Sequence, residues 1–309
     1  MFVVIMNPTA GGGRSESICQ GVCELLQLRA IPHRVEITES EWHATDLARA
    51  AALSGCEAIV AVGGDGTLCE IAAGLADRAC ALYFVPCGTG NDFVRVLNLP
   101  ANPIDALIAQ LDGEEVHLDM ATVNGRGFIN VAGSGFDVDV LREVIRFKHV
   151  GKGLLPYLLG LLPYLLGLIS ALKKFHSFRA ELTLDTGEVL NEAFTIVSIA
   201  NGRFFGGGMK VAPLAEVTDG LLDVMIIRGL PKFAVPFLLP LFITGLHAKI
   251  PAICRVRRCK RVKLTCPGMT FNMDGELYQM DEADIQILPG HLTIHLPSAS
   301  FKASVRKTA

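Results

Sequence analysis

The chain has 309 residues, 50% of them hydrophobic and only 19% charged, with a net charge of −3. That length exceeds one ordinary core, so two domains are expected, and the apolar balance excludes disorder. A mean hydropathy of +0.41 without a basic field argues against nucleic acid as a partner and raises the question of a membrane.

Met1 runs straight into the apolar stretch Phe2–Met6 with no basic leader, so a cytoplasmic setting is expected, with the nine cysteines reduced. No CxxC pair points to zinc. The first third alternates strand and helix: Val3–Met6, a helix from about Ser15 to Leu28, Arg34–Ile37, a helix around Ala44–Leu53, Ala58–Val62, a helix from Cys69, and Leu82–Val85. Apolar strands in that rhythm predict a parallel sheet covered on both faces, with ligands bound where the strands end.

From about Val116 the pattern changes to short strands: His117–Val123, Phe128–Val131, Arg179–Leu184, Phe194–Ala200, Leu222–Ile227, Val262–Leu264, Thr270–Met273, Ile285–Leu288 and Leu292–Leu296. Turn signals such as Asn124-Gly125, Asp185-Thr186-Gly187 and Pro289-Gly290 separate them, which reads as an antiparallel sandwich. The boundary is placed at residue 118, giving domains 1–118 and 119–296, the first completed by a tail at 297–309.

Two apolar insertions interrupt the second half. Leu154–Leu172 carries no charge and repeats Leu-Leu-Pro-Tyr-Leu-Leu-Gly at 154–160 and 161–167. Its length would span a bilayer, but Pro156 and Pro163 weaken a straight helix and Lys148, Lys152, Lys173 and Lys174 flank both ends, so a surface or groove helix pair is favoured. Phe233–Leu246 is shorter and holds Pro236 and Pro240. A basic stretch, Arg255, Arg257, Arg258, Lys260, Arg261 and Lys263, reads equally as a headgroup contact or as an edge strand kept soluble by charge.

Three glycine-rich segments follow predicted parallel strands, where backbone N–H groups can meet phosphate. They are Asn7-Pro8-Thr9-Ala10-Gly11-Gly12-Gly13-Arg14, Gly63-Gly64-Asp65-Gly66-Thr67-Leu68-Cys69-Glu70 and Pro86-Cys87-Gly88-Thr89-Gly90-Asn91-Asp92-Phe93. A carboxylate between glycines, such as Asp65, either meets a magnesium–nucleotide complex or caps a helix.

These segments resemble the diacylglycerol kinase catalytic-domain family, in particular its soluble bacterial lipid kinases and the related sphingosine kinases. The likeness continues through Phe128–Asp137, Asn201–Gly208, Thr218–Val224 and Asp274-Gly275-Glu276, so it covers nearly the whole chain in order. Gly63–Thr67 alone is shared with NAD kinases and is similar to a phosphofructokinase motif. The resemblance implies a three-layer α/β nucleotide-binding domain of that kind, followed by the β-sandwich.

It also implies an ATP-dependent kinase acting on a lipid hydroxyl, most simply that of diacylglycerol, with Mg2+ as cofactor. Asn7, Thr38, Gly63, Gly64, Asp65, Gly66, Thr67, Leu68, Cys69, Glu70, Gly88, Thr89 and Asn91 would form the ATP site. Asp65 and Asp92 would organise phosphates and the catalytic Mg2+, and Glu276 would be the general base. Asp219, with the main-chain carbonyls of Glu216 and Leu221, would hold a structural Mg2+. Family members usually have Asn where this chain has Cys69. A lipid acceptor implies a cytoplasmic protein working at the inner face of the membrane; a sheet-edge homodimer stays open. The competing readings are a soluble-substrate kinase of the NAD kinase type, a catalytically silent lipid-binding protein, and an integral membrane protein spanning at 154–172.

Overall fold

The computed structural model describes residues 1–75, 80–88, 90–150 and 162–297. The parallel half is built from β1 (Phe2–Met6), β2 (His33–Ile37), β3 (Ala58–Gly63) and β4 (Ala81–Pro86), in the order β4-β3-β1-β2. Every residue of β1 and β3 is buried because both faces are covered. On one face Phe2, Val4, Met6, Val60 and Val62 pack with Val22 and Leu26 of α1 (Ser15–Leu28) and Leu107 of α5 (Pro103–Leu111). On the other, Val3, Ile5, Ile59 and Ala61 meet Ala44 and Ala48 of α2 (His43–Leu53) and Leu68 and Ile71 of α3 (Asp65–Gly74). The period-two alternation of the strands thus gives the three layers expected. The short α4 (Asp92–Leu97) follows β4; neither it nor α5 was anticipated.

The antiparallel half contains β5 (Glu114–Val123), β6 (Arg126–Phe128), β7 (Val131–Gly135), β8 (Phe178–Leu184), β9 (Val189–Ala200), β10 (Leu222–Arg228), β11 (Cys254–Cys259), β12 (Arg261–Met273) and β13 (Glu276–Leu296). The path β11-β10-β9-β7-β12-β13 runs on into β4, so both halves share one hydrogen-bonded network. The join is made by β13, whose end pairs Ile294 with Leu82 in parallel while Leu292–Leu296 pairs with β5. Residue 118 lies inside β5, and the strand that completes the first sheet ends at Leu296. Residues 298–309, most of the expected completing tail, lie outside the described residues.

The breaks expected between Leu264 and Thr270 and between Leu288 and Leu292 are register shifts inside β12 and β13, between Thr265 and Met269 and between Leu288 and Leu292. A bulge uses the same Pro and Gly residues as a turn, here Pro267-Gly268 and Pro289-Gly290, with Gly268 and Gly290 at positive φ.

Two helices after β7, α6 (Phe136–Val150) and α7 (Leu162–Lys174), cover the outer face of β7, β9 and β10 together with α8 (Leu238–Thr244) and its flanking 3-10 turns. The first heptapeptide, 154–160, lies outside the described residues. Among the described residues no helix is long and apolar enough to cross a membrane.

Candidate active site

The loops leaving β1, β3 and β4 lie side by side, held together through glycine. A Cβ on Gly11, whose φ is +62°, would fall 2.2 Å from the Cys87 carbonyl oxygen, and one on Gly88 would fall 2.7 Å from Gly64 Cα. These glycines let the loops approach one another before any anion arrives. Gly66 faces open space. Because α3 begins at Asp65 rather than at Cys69, the Gly66 and Thr67 N–H groups occupy its first turn, where no helical carbonyl reaches them. Asn7 ties the first loop to the second, donating from Nδ2 to Thr67 Oγ1 at 3.1 Å. Thr38, at the end of β2, donates its N–H to Met6 and so stands beside Asn7. Leu68 is 1% exposed, its side chain packed in the core because its helical position turns it towards the sheet. Thr89 lies outside the described residues.

Most carboxylates here are committed to backbone. Asp65 accepts from the N–H groups of Asp92 and Phe93, each at 3.0 Å, and so caps α4, the helix of the neighbouring loop. Both oxygens are used once, leaving each a lone pair. Glu70 accepts from Ala44 N at the start of α2. Asp92, expected to organise phosphates, accepts from Gly207 N at 2.9 Å through Oδ2, with Arg95 at 3.8 Å. Its Oδ1 is buried without a hydrogen bond, and burial raises its pKa. Asn91, at positive φ, donates to the Gly88 carbonyl and closes the loop. Asp274 accepts from Ile129, Asn130 and Val131 N–H groups at 2.7–3.0 Å; burial still pushes it up to about 6.

A small cleft opens between the two halves, lined by Trp42, Gly66, Cys69, Glu70, Gly127, Met273, Asp274, Glu276 and Tyr278. Thus the second glycine loop with the start of α3 and the Asp274-Gly275-Glu276 turn, distant in sequence, line the same cleft. No donor among the described residues is bonded to the Glu276 carboxylate. Its pKa is raised by burial and by Glu41, against the pull of Arg126. Arg126 is held between two rings, its guanidinium carbon 4.7 Å from the Trp42 centroid and 4.8 Å from that of Tyr278. Trp42 sits at φ 65°, a strained backbone for a bulky residue. Cys69 donates weakly to the Gly127 carbonyl at 3.5 Å; its thiol pKa is held well above the usual range by burial and by Asp274.

The expected structural metal site has a different character. Asp219 accepts from Leu221 N, and its Oδ2 lies 3.3 Å from Arg258, which also reaches Asp223 at 3.2 Å. The nearby Asp119 holds Gly220 N and Gly290 N, each at 2.7 Å. Asp219 Oδ2 and Asp223 Oδ2 accept no hydrogen bond. Glu216 acts on both through its charge. A guanidinium thus already balances Asp219 and Asp223; a metal there would share Asp219 with it.

Sequence reasoning assigned nothing to Trp42, Arg126, Tyr278 and Asp119. The sole tryptophan beside the Glu41 carboxylate was a readable signal for the first; the others depend on strand pairing that has no local signature.

Residues 1–123 match the family described as diacylglycerol kinase catalytic domain, and 130–296 match the YegS C-terminal NAD kinase beta sandwich-like domain. A diacylglycerol kinase of Mycobacterium tuberculosis is 29% identical, covering 95% of this chain and 94% of its own. A probable lipid kinase YegS-like of Pseudomonas aeruginosa is 32% identical over 86% of this chain and 85% of its own. The crystal structure of a putative diacylglycerol kinase from Bacillus anthracis superposes with a TM-score of 0.76 at 25% identity, covering 97% of this chain and 98% of that one.

Proposed function

The chain belongs to the diacylglycerol kinase catalytic-domain family and is a lipid kinase using ATP; on that footing we propose that its acceptor is diacylglycerol, phosphorylated to phosphatidic acid, with Glu276 as general base. The observation that carries the base is the unbonded Glu276 carboxylate in the same cleft as Gly66 and the start of α3. In the step, the lipid oxygen bonds to the γ-phosphorus, its proton passes to Glu276, and the bond to the ADP oxygen breaks.

The raised pKa, set by burial and by Glu41, makes Glu276 a stronger base than an exposed carboxylate. The first-turn N–H groups of α3 suit the phosphate oxygens, and Arg126, fixed by Trp42 and Tyr278, supplies positive charge in a cleft otherwise lined by Glu70, Asp274 and Glu276. Mg2+ would neutralise phosphate charge; the residues suited to it are Asp65, through its remaining lone pairs, and Asp92, through its unbonded oxygen. Because its acceptor is insoluble in water, the enzyme works in the cytoplasm at the inner face of a membrane.

The test is a labelled-ATP assay against dispersed diacylglycerol, monoacylglycerol, a sphingoid base, ceramide, phosphatidylglycerol and NAD, with products separated by thin-layer chromatography. Phosphatidic acid as the main product supports the proposal. Preference for NAD would favour the soluble-substrate reading, another phosphorylated lipid would move the specificity, and no turnover would favour a silent lipid-binding protein.

A further inference from the structure

The layer outside β9–β11 leaves an apolar surface open. Phe233 and Phe237 are 77% and 73% exposed, and Ile243 and Leu246 about half exposed, although Val235, Leu238 and Phe242 between them are buried. Pro236 within the 3-10 turn Lys232–Phe237 and Gly245 after α8 break the segment into short pieces, so alternate residues turn inward and outward. Two exposed phenylalanines four residues apart are costly in water unless something covers them.

The segment that carries this patch holds charge of one sign. Between Asp223 and Asp274 the sequence has no acidic residue. The basic stretch Arg255–Lys263 is not what faces outward from it: Arg255, Arg257, Arg258, Arg261 and Lys263 are paired with Glu192, Glu188, Asp223, Asp284 and Glu282. Lys232 and Lys249, which bracket the apolar residues, and the exposed Lys210 and Lys173 have no ion pair among the described residues. Lys232 Nζ bonds the Lys173 carbonyl and Lys210 N–H bonds the Phe242 carbonyl, which brings Lys173 and Lys210 beside the segment that Lys232 and Lys249 bracket. Aromatic side chains within a ring of lysines match an anionic bilayer, with rings among acyl chains and ammonium groups at phosphate level.

We infer that the surface formed by Phe233, Phe237, Ile243 and Leu246, ringed by Lys173, Lys210, Lys232 and Lys249, docks on anionic phospholipid bilayers. It rests on the lipid-kinase reading only in that it says where such an acceptor is met. The connection to the site is covalent: the loop that bonds Gly207 to Asp92 continues through Lys210 to the α8 layer, where Val211 O meets His247.

The experiment is co-sedimentation, without nucleotide, with vesicles of phosphatidylcholine alone or mixed with phosphatidylglycerol. The wild type should sediment with the mixed vesicles and not with the neutral ones. Phe233→Ser/Phe237→Ser and Lys232→Glu/Lys249→Glu should each weaken binding roughly tenfold or more. Both variants should keep the wild-type melting temperature and, on a short-chain diacylglycerol below its micelle concentration, wild-type turnover. Undiminished binding by folded variants, or no binding by the wild type, overturns the inference. So does a wild-type dimer that the Phe variants convert to monomer without any vesicle binding, since the patch is then a self-association face. Vesicle binding with no lipid phosphorylated would instead sink the kinase reading and leave the docking surface standing.

Discussion

The edge of the parallel sheet and the β12–β13 turn both present carboxylates to the same cleft, but in opposite states. At the sheet edge Asp65, Glu70 and Asp92 each accept backbone N–H groups, and Asp274 beneath the turn accepts three. Two residues on, Glu276 accepts none. A carboxylate that ends a strand or caps a helix is part of the frame, and its removal orphans buried donors. One with free oxygens in a polar cleft is available for proton transfer. Bonding state, more than position in a motif, separates frame from chemistry here.

The largest expected effect follows directly. Glu276→Gln should lower turnover about 10²–10⁴-fold, the usual contribution of a general base, with a denaturation midpoint close to wild type. A comparable loss of stability would break the distinction. Asp274→Ala should do the reverse in kind: three orphaned N–H groups cost on the order of 2–4 kcal/mol in a urea titration, with activity lost through the displaced turn. Asp65→Ala should fall between, costing about 1–3 kcal/mol through the uncapped α4 as well as turnover, since it serves both roles.

Titration sharpens the same contrast. Asp274 is pushed up to about 6 from an unfolded value near 3.8, so the folded state binds the extra proton between those limits. Its contribution to stability is therefore full below the unfolded pKa and is lost as pH rises through about 6, at no more than about 1.4 kcal/mol per pH unit. Asp137, also raised to about 6 by burial, adds a slope of the same sign. Urea midpoints from pH 4 to 7 should fall with pH, and Asp274→Asn should flatten the curve without abolishing it. Glu276 affects rate instead: kcat/KM should drop as pH falls through its raised pKa. Arg126→Ala removes the charge that lowers that pKa, so the acid limb should move to higher pH.

How much of this was readable from the chain depends on the range of the interactions. The Ser15–Leu28 helix and the four parallel strands stood out because apolar periodicity is local. The start of α3 did not, since Gly63–Gly66 reads as loop while Asp65 already begins the helix. Pro267-Gly268 and Pro289-Gly290 resemble turns, and only pairing with β13 and β5 shows them to be bulges. Asp65 and Glu276 were legible as site residues through motifs; that Asp65 caps the helix of the next loop, or that Asp92 turns to Gly207, depends on contacts 27 and 115 residues apart. The Arg126 clamp needed three segments at once.

The smallest effect is expected at Cys69, where the family resemblance implies an Asn. Cys69 stands in α3 with its side chain against the Gly127 carbonyl, and burial keeps the thiol protonated and therefore a donor, if a weak one. An amide there would donate more strongly to the same carbonyl, on the β6 wall beside Arg126, while its oxygen would face the Asp274 carboxylate that already perturbs the thiol. Those effects oppose, so Cys69→Asn should change turnover by about threefold or less and stability by under about 1 kcal/mol. Cys69→Ala removes the donor and leaves the carbonyl without it, and should be the more destabilising of the two in a urea titration. If Cys69→Asn instead costs turnover on the scale of Glu276→Gln, residue 69 belongs with the chemistry and the boundary drawn between frame and reacting group must move to include α3.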